Sequence, residues 1–157
     1  MPDEVAVDNR VLARLIRRVF PEARSVSVEP AHRDRRLVVV YRARVDDTVF
    51  YLRLAEEPDQ DLTTDAEILD RLRTLGASVP VVVAAEAAPT ELARSYLIVT
   101  EIPGRPLADG GTDDVARSAA RAAGRDTAII NSLKVAGFGW LQRTGVQPLT
   151  AELLSSA

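Results

Sequence analysis

Cysteine is absent from the 157 residues, which removes disulfides, thiolate catalysis and cysteine-built zinc sites together. A single histidine, His32, excludes a histidine-rich metal cluster, so any metal would have to be held through carboxylates. No glycine precedes Gly76, so the first half of the chain lacks the residue that best lets backbone amides approach an anion closely. Lysine is almost missing as well: nineteen of the twenty cations are arginine, and Lys134 is the exception. No apolar run reaches the roughly 18 residues of a membrane span. The start Met1-Pro2-Asp3-Glu4 is acidic and has no apolar stretch behind it, unlike a secretion signal. A cytoplasmic protein with no membrane partner is the expectation.

What remains is ordinary globular material, 46% hydrophobic and 27% charged, enough for one substantial core. The net charge of −3 gives no general attraction to nucleic acid, although Arg33, Arg35 and Arg36 cluster, and no nucleic-acid partner is expected. From Asp8 to Phe20 the apolar residues Val11, Leu12, Leu15, Ile16, Val19 and Phe20 fall at helical spacing, with Asp8 as N-cap and Pro21 as the stop. Val26 to Glu29, Leu37 to Val45 and Thr48 to Leu54 read as strands, the first two separated by a polar loop from Pro30 to Arg35 and the last two by a turn at Asp46-Asp47. A helix follows from about Thr64 to Leu75, with Ile68, Leu69, Leu72 and Leu75 on one face and Gly76 as its stop. Val79 to Val83 and Ser95 to Thr100 complete five strands. After the Pro103-Gly104 hinge, Asp113 to Leu133 is helical, with Val115, Ala119, Ala123, Ile130 and Leu133 along one stripe.

Three segments carry chemistry. In Val49-Phe50-Tyr51-Leu52-Arg53-Leu54 the alternation places Arg53 on the face of Val49 and Tyr51, either as an ordinary outward charge or as an anion-binding fork. In Thr64-Asp65-Ala66-Glu67 two readings of Glu67 stand: the far end of a capping box, or a carboxylate that pairs with the strand cation. Tyr96 to Gly104 is an apolar strand that runs into a Pro-Gly turn.

In this order the segments resemble the nucleotide-binding lobe of the aminoglycoside phosphotransferase and choline kinase family, whose fold is similar to that of protein kinases. The resemblance covers roughly Leu37 to Leu141, about the first half of a family member. It implies an α+β fold: a kinase-like small lobe over residues 1–104, with a five-stranded antiparallel sheet and an inserted helix. Residues 105–157 would then hold the hinge, the first large-lobe helix and a short tail. The resemblance also implies that Arg53 contacts nucleotide phosphates and pairs with Glu67, and that the Thr100 carbonyl and Ile102 N–H hold adenine. ATP is the implied cofactor, bound weakly for want of a glycine clamp. After Asn131 the chain has no Asp, Asn or His to position an acceptor hydroxyl or to hold Mg²⁺. No catalytic residue and no metal ligand are assigned, and Mg²⁺ is expected only with a completing large-lobe chain. The expectation is a truncated phosphotransferase-like protein that is inactive alone. The alternatives are a non-catalytic interaction module or one half of a split kinase. Self-association, or binding of another protein, through about Val115 to Leu141 is expected as well.

Overall fold

The structure is a computed structural model that describes residues 7–34, 38–56, 60–90, 92–104, 112–133, 141–142 and 145–146. Its elements are α1 (Asn9–Val19), β1 (Val26–Asp34), β2 (Val38–Val45), β3 (Thr48–Ala55), α2 (Thr63–Thr74), β4 (Val82–Glu86), β5 (Tyr96–Thr100), α3 (Asp113–Ser132), β6 (Leu141–Gln142) and β7 (Gly145–Val146). The first five strands form one antiparallel sheet in the order β1-β2-β3-β5-β4, while β6 and β7 pair separately. This is the expected α+β arrangement of a kinase-like small lobe, with one helix inserted after the third strand and a long helix after the fifth.

The described residues fall into two compact units. The first holds the chain up to Ala66 together with Pro80–Glu101, and the second holds Glu67–Val79 and the chain from Ile102 onward.

In the first unit α1 forms because its apolar residues repeat at helical spacing and the Asp8 carboxylate accepts the Arg10 N–H at 2.8 Å. Its Leu12, Leu15 and Ile16 are fully buried, each contributing about 1.5–3 kcal/mol of transfer free energy. They cluster with Tyr41, Ala43 and Val45 of β2, Phe50, Leu52 and Leu54 of β3, and Tyr96 and Ile98 of β5. One face of the sheet is thus an apolar layer under α1. Phe20 extends it, with its ring centroid 4.6 Å from that of Phe50. At the edge of this layer Arg18 reaches Glu86 at 2.5 Å and the Tyr96 hydroxyl at 3.2 Å.

The turn between β2 and β3 falls on Asp46-Asp47 as expected. Asp46 has φ 50°, a left-handed conformation that aspartate tolerates. Its carboxylate accepts the N–H groups of Arg24 at 3.0 Å and Ser25 at 2.8 Å, and these bonds, the Ser25 N–H foremost, hold its pKa below the usual carboxylate value.

Four boundaries differ from the sequence expectation, and one is β4, which runs Val82–Glu86 where Val79 to Val83 was expected. The segment from Pro30 is not a loop: β1 continues to Asp34, with a bulge between Pro30 and His32. An edge strand tolerates a proline that cannot donate to the ladder, and the bulge restores pairing after it. Next, α2 starts at Thr63, ahead of the expected capping box, because Asp61 takes the helix-start role and accepts both the Thr63 N–H at 2.9 Å and its hydroxyl at 2.6 Å. Finally, Leu75 is 48% exposed, so the apolar face of α2 ends at Leu72. Gly76 stops that helix at φ 90°, where a Cβ would be strained.

In the second unit Asp126 of α3 accepts the Ser78 N–H at 3.1 Å, just past the end of α2. No residue of α3 is buried, and Val115 and Ile130 are 51% and 48% exposed. The residues after Leu133 that were expected to pack, Phe138 and Trp140, lie outside the described residues, as do the side chains of His32, Arg33, Arg35 and Arg36.

Candidate functional site

The second face of the sheet, opposite α1, carries the polar side chains. Strand alternation and register decide which residues meet there. On β3 the residues facing away from the α1 core are Val49, Tyr51, Arg53 and Ala55. Arg53 sits opposite Val40 on β2 and Leu97 on β5, half-buried in apolar surroundings. Tyr51 sits opposite Arg42 and Val99, and Arg42 sits opposite Glu29.

Along this line the side chains are bonded in two neighbouring pairs. Arg42 Nη1 donates to Glu29 Oε1 at 3.3 Å, and the Tyr51 hydroxyl donates to Glu101 Oε1 at 3.4 Å. The Glu29 hydrogen bond raises the pKa of Arg42 still further, helped by the Glu101 charge and the Tyr51 hydroxyl. Four side chains from β1, β2, β3 and the end of β5 therefore form one polar row beside Arg53.

The acid that the first unit places in the field of Arg53 is Asp65, on the first turn of α2. Desolvation pushes the Asp65 carboxyl up, the Arg53 charge pulls it down, and Asp61 adds to the rise. The position of this turn is fixed from below by Ser95, which is fully buried. Its hydroxyl accepts the Leu62 N–H at 2.9 Å and donates to the Glu86 carbonyl at 3.2 Å, and its carbonyl accepts the Ala55 N–H at 2.9 Å. One residue thus ties the start of α2 to the ends of β3 and β4.

Glu67, the acid expected opposite Arg53, is exposed on α2 within the second unit. It makes no hydrogen bond to its own helix start among the described residues, so the capping-box reading is not realised. Thr100 ends β5, where its N–H donates to the Val81 carbonyl and its hydroxyl accepts the Val81 N–H, both at 2.9 Å. The Val81 N–H therefore goes to the Thr100 side chain rather than to the Thr100 carbonyl. Ile102 is 57% exposed, and Gly104 follows with φ 158°, nearly extended.

Residues 28–154 match the model of a family described as the phosphotransferase enzyme family. The chain belongs to that family. No curated protein and no solved structure gave a match. The family assignment agrees with the small-lobe architecture.

For this phosphotransferase-family chain the donor set is one-sided. Cationic and hydrogen-bonding groups suited to a phosphate are present at Arg53, but among the described residues no group of three or more His, Cys, Asp or Glu could hold a metal ion. Sequence reasoning missed Asp65 and the row formed by Glu29, Arg42, Tyr51 and Glu101. Asp65 was hidden inside the tetrapeptide read as a cap. The row had a signal in the shared alternation of Tyr51 and Arg53, but Glu29 and Arg42 join it only through strand register, which spacing within one strand does not contain.

Proposed function

We propose that the chain is a nucleotide-binding lobe of phosphotransferase descent that binds ATP on the sheet face opposite α1 and does not transfer phosphate by itself. The observation that carries this reading is the shared face of Arg53, Tyr51 and the end of β5. Arg53 lies three strand positions from the residue paired with Thr100, roughly 10 Å along the sheet, which suits a base at one end and phosphates at the other. In this reading Arg53 takes a phosphate through its planar fork, and its apolar surroundings strengthen that contact. Tyr51, between the two ends, offers a ring for the base. The Thr100 carbonyl takes the base edge at the end of β5. Affinity is low because no glycine stands before Gly76 to let backbone amides wrap the phosphates.

The absence of Asp, Asn and His after Asn131 supports the lack of turnover. Those groups would have to come from outside these 157 residues. Calorimetry with ATP tests the binding: a dissociation constant in the high micromolar range or weaker is expected, with loss of binding in Arg53→Ala. Incubation with Mg-ATP and aminoglycosides or choline should give no phosphorylated product. Turnover that persists through purification and disappears in Arg53→Ala would overturn the inactive reading.

A second reading, a non-catalytic interaction module, is favoured by α3 alone, a twenty-residue helix with no buried residue. Light scattering over a concentration series separates the two. Self-association that Ile130→Glu abolishes would support an interface on α3.

A further inference from the structure

The polar row beside Arg53 has more members than a phosphate contact needs. Glu29, Arg42 and Tyr51 are direct cross-strand partners on adjacent strands, and their side chains share the face on which Arg53 stands. Cross-strand neighbours on one face approach closely enough to fix each other's rotamers. Tyr51 does not lean toward its direct partner Val99. Its hydroxyl meets Glu101, which follows the end of β5 and whose N–H donates to the Val49 carbonyl at 3.4 Å. The ring therefore reclines diagonally across the sheet, away from Arg53 and toward the end of β5. Arg42 stands on the other side of Tyr51, bound to Glu29 at 3.3 Å and attracted by Glu101.

We propose that Arg42 is a positioning residue: braced by Glu29, it holds the Tyr51–Glu101 contact in place and so keeps the Tyr51 ring lying flat as the floor of the base subsite. This rests on the nucleotide-binding reading above and adds to it a device that sets the geometry of the base, separate from the phosphate contact. The ligand class is the nucleoside portion of the nucleotide. A tyrosine ring free to rotate about two torsions would spend part of its time upright, blocking the base rather than supporting it. The Glu101 carboxylate at the hydroxyl and the Arg42 guanidinium across the strand reduce that freedom at small cost, because Arg42 is already ordered by Glu29.

The test separates the two ends of the ligand by using adenosine and inorganic triphosphate as probes, with binding followed by NMR chemical-shift titration of the full chain. Arg42→Met keeps the apolar stem on the sheet but removes the guanidinium. It should weaken adenosine about threefold, the size expected for loss of one exposed hydrogen-bonded arrangement, and leave triphosphate unchanged. Tyr51→Phe should weaken adenosine to a similar extent, and Arg42→Met added to Tyr51→Phe should change nothing further, since the hydroxyl it acts through is gone. Arg53→Ala should show the opposite pattern, losing triphosphate while retaining adenosine. If Arg42→Met lowers the melting temperature, Glu29→Gln gives the same comparison from the outer end of the row. Unchanged adenosine affinity in Arg42→Met, or an equal loss with and without the Tyr51 hydroxyl, overturns the proposal while leaving nucleotide binding intact. Failure of the unaltered chain to bind adenosine, triphosphate or ATP at millimolar concentration overturns both readings.

Discussion

The two faces of the five-stranded sheet are built from the same strands and obey opposite rules. Under α1, Leu12, Leu15 and Ile16 meet Ala43, Leu52, Leu54 and Ile98, all fully buried. On the other face Arg42, Tyr51 and Arg53 alternate with those residues along β2 and β3 and stay partly open. Buried apolar surface gains from leaving water, whereas a guanidinium there loses hydration unless a partner compensates. Alternation along the strand lets a single segment satisfy both demands. The first face is apolar throughout, whereas the second sets the buried Ala55, Leu97 and Val99 beside the groups that can meet a ligand.

The sharpest way to break this contrast is to substitute neighbours on β3. Leu52→Ala removes a side chain that is 0% exposed and should cost about 2–5 kcal/mol, through lost transfer free energy plus a cavity. Arg53→Ala, one residue along and on the other face, should cost about 1 kcal/mol or less. Urea denaturation of both variants checks the difference. Equal losses would mean that Arg53 carries as much of the packing as Leu52.

Ser95 is the point where the two rules meet, since it is a polar side chain with no exposure. Its burial is tolerated because the hydroxyl has two partners, the Leu62 N–H and the Glu86 carbonyl. Ser95→Ala leaves the Leu62 N–H without its acceptor and should cost about 1–3 kcal/mol. It should also loosen the first turn of α2 relative to β3, which hydrogen exchange at Leu62 and Ala66 would register as faster exchange with little change on β2. Uniform acceleration over the whole sheet would mean that Ser95 is merely one more core contact.

Much of the apolar face was legible in the sequence, because helical spacing in Asp8 to Phe20 and alternation in Thr48 to Leu54 are local patterns that burial enforces. The Asp8 cap, the Asp46-Asp47 turn and the Gly76 stop were legible for the same reason. The other face was legible only strand by strand. Arg53 and Tyr51 announced themselves through alternation, but the pairing of Tyr51 with Arg42 and of Arg42 with Glu29 depends on register. The extent of β1 past Pro30 depended on whether an edge strand would accept a proline, and neighbouring strands decide that. The start of α2 was misread because Asp61 and Thr64 are both competent to begin a helix. Asp61 prevails with two hydrogen bonds to Thr63, and this places Asp65, rather than a capping residue, on the first turn.

That placement leads to the smallest expected effect. The Asp65 pKa is raised by burial, and the Arg53 charge offsets only part of the rise. Its folded-state value therefore exceeds the unfolded one, and the native state holds the proton more tightly. A carboxylate raised in this way contributes stability that is fully present below its unfolded pKa, near 3.8, and lost as the pH climbs through the folded value. Asp65→Asn removes the ionisation, so the variant should be more stable than the unaltered chain at neutral pH, and the gap should close as the pH falls toward the unfolded value. Melting temperatures measured across the acid range would show the two curves converging. Asp65→Asn also frees Arg53 of its carboxylate neighbour, so triphosphate affinity should rise at neutral pH. A variant less stable than the unaltered chain at neutral pH would mean that the Arg53 attraction outweighs burial, and Asp65 would then be a structural partner of Arg53 rather than a competitor of the phosphate.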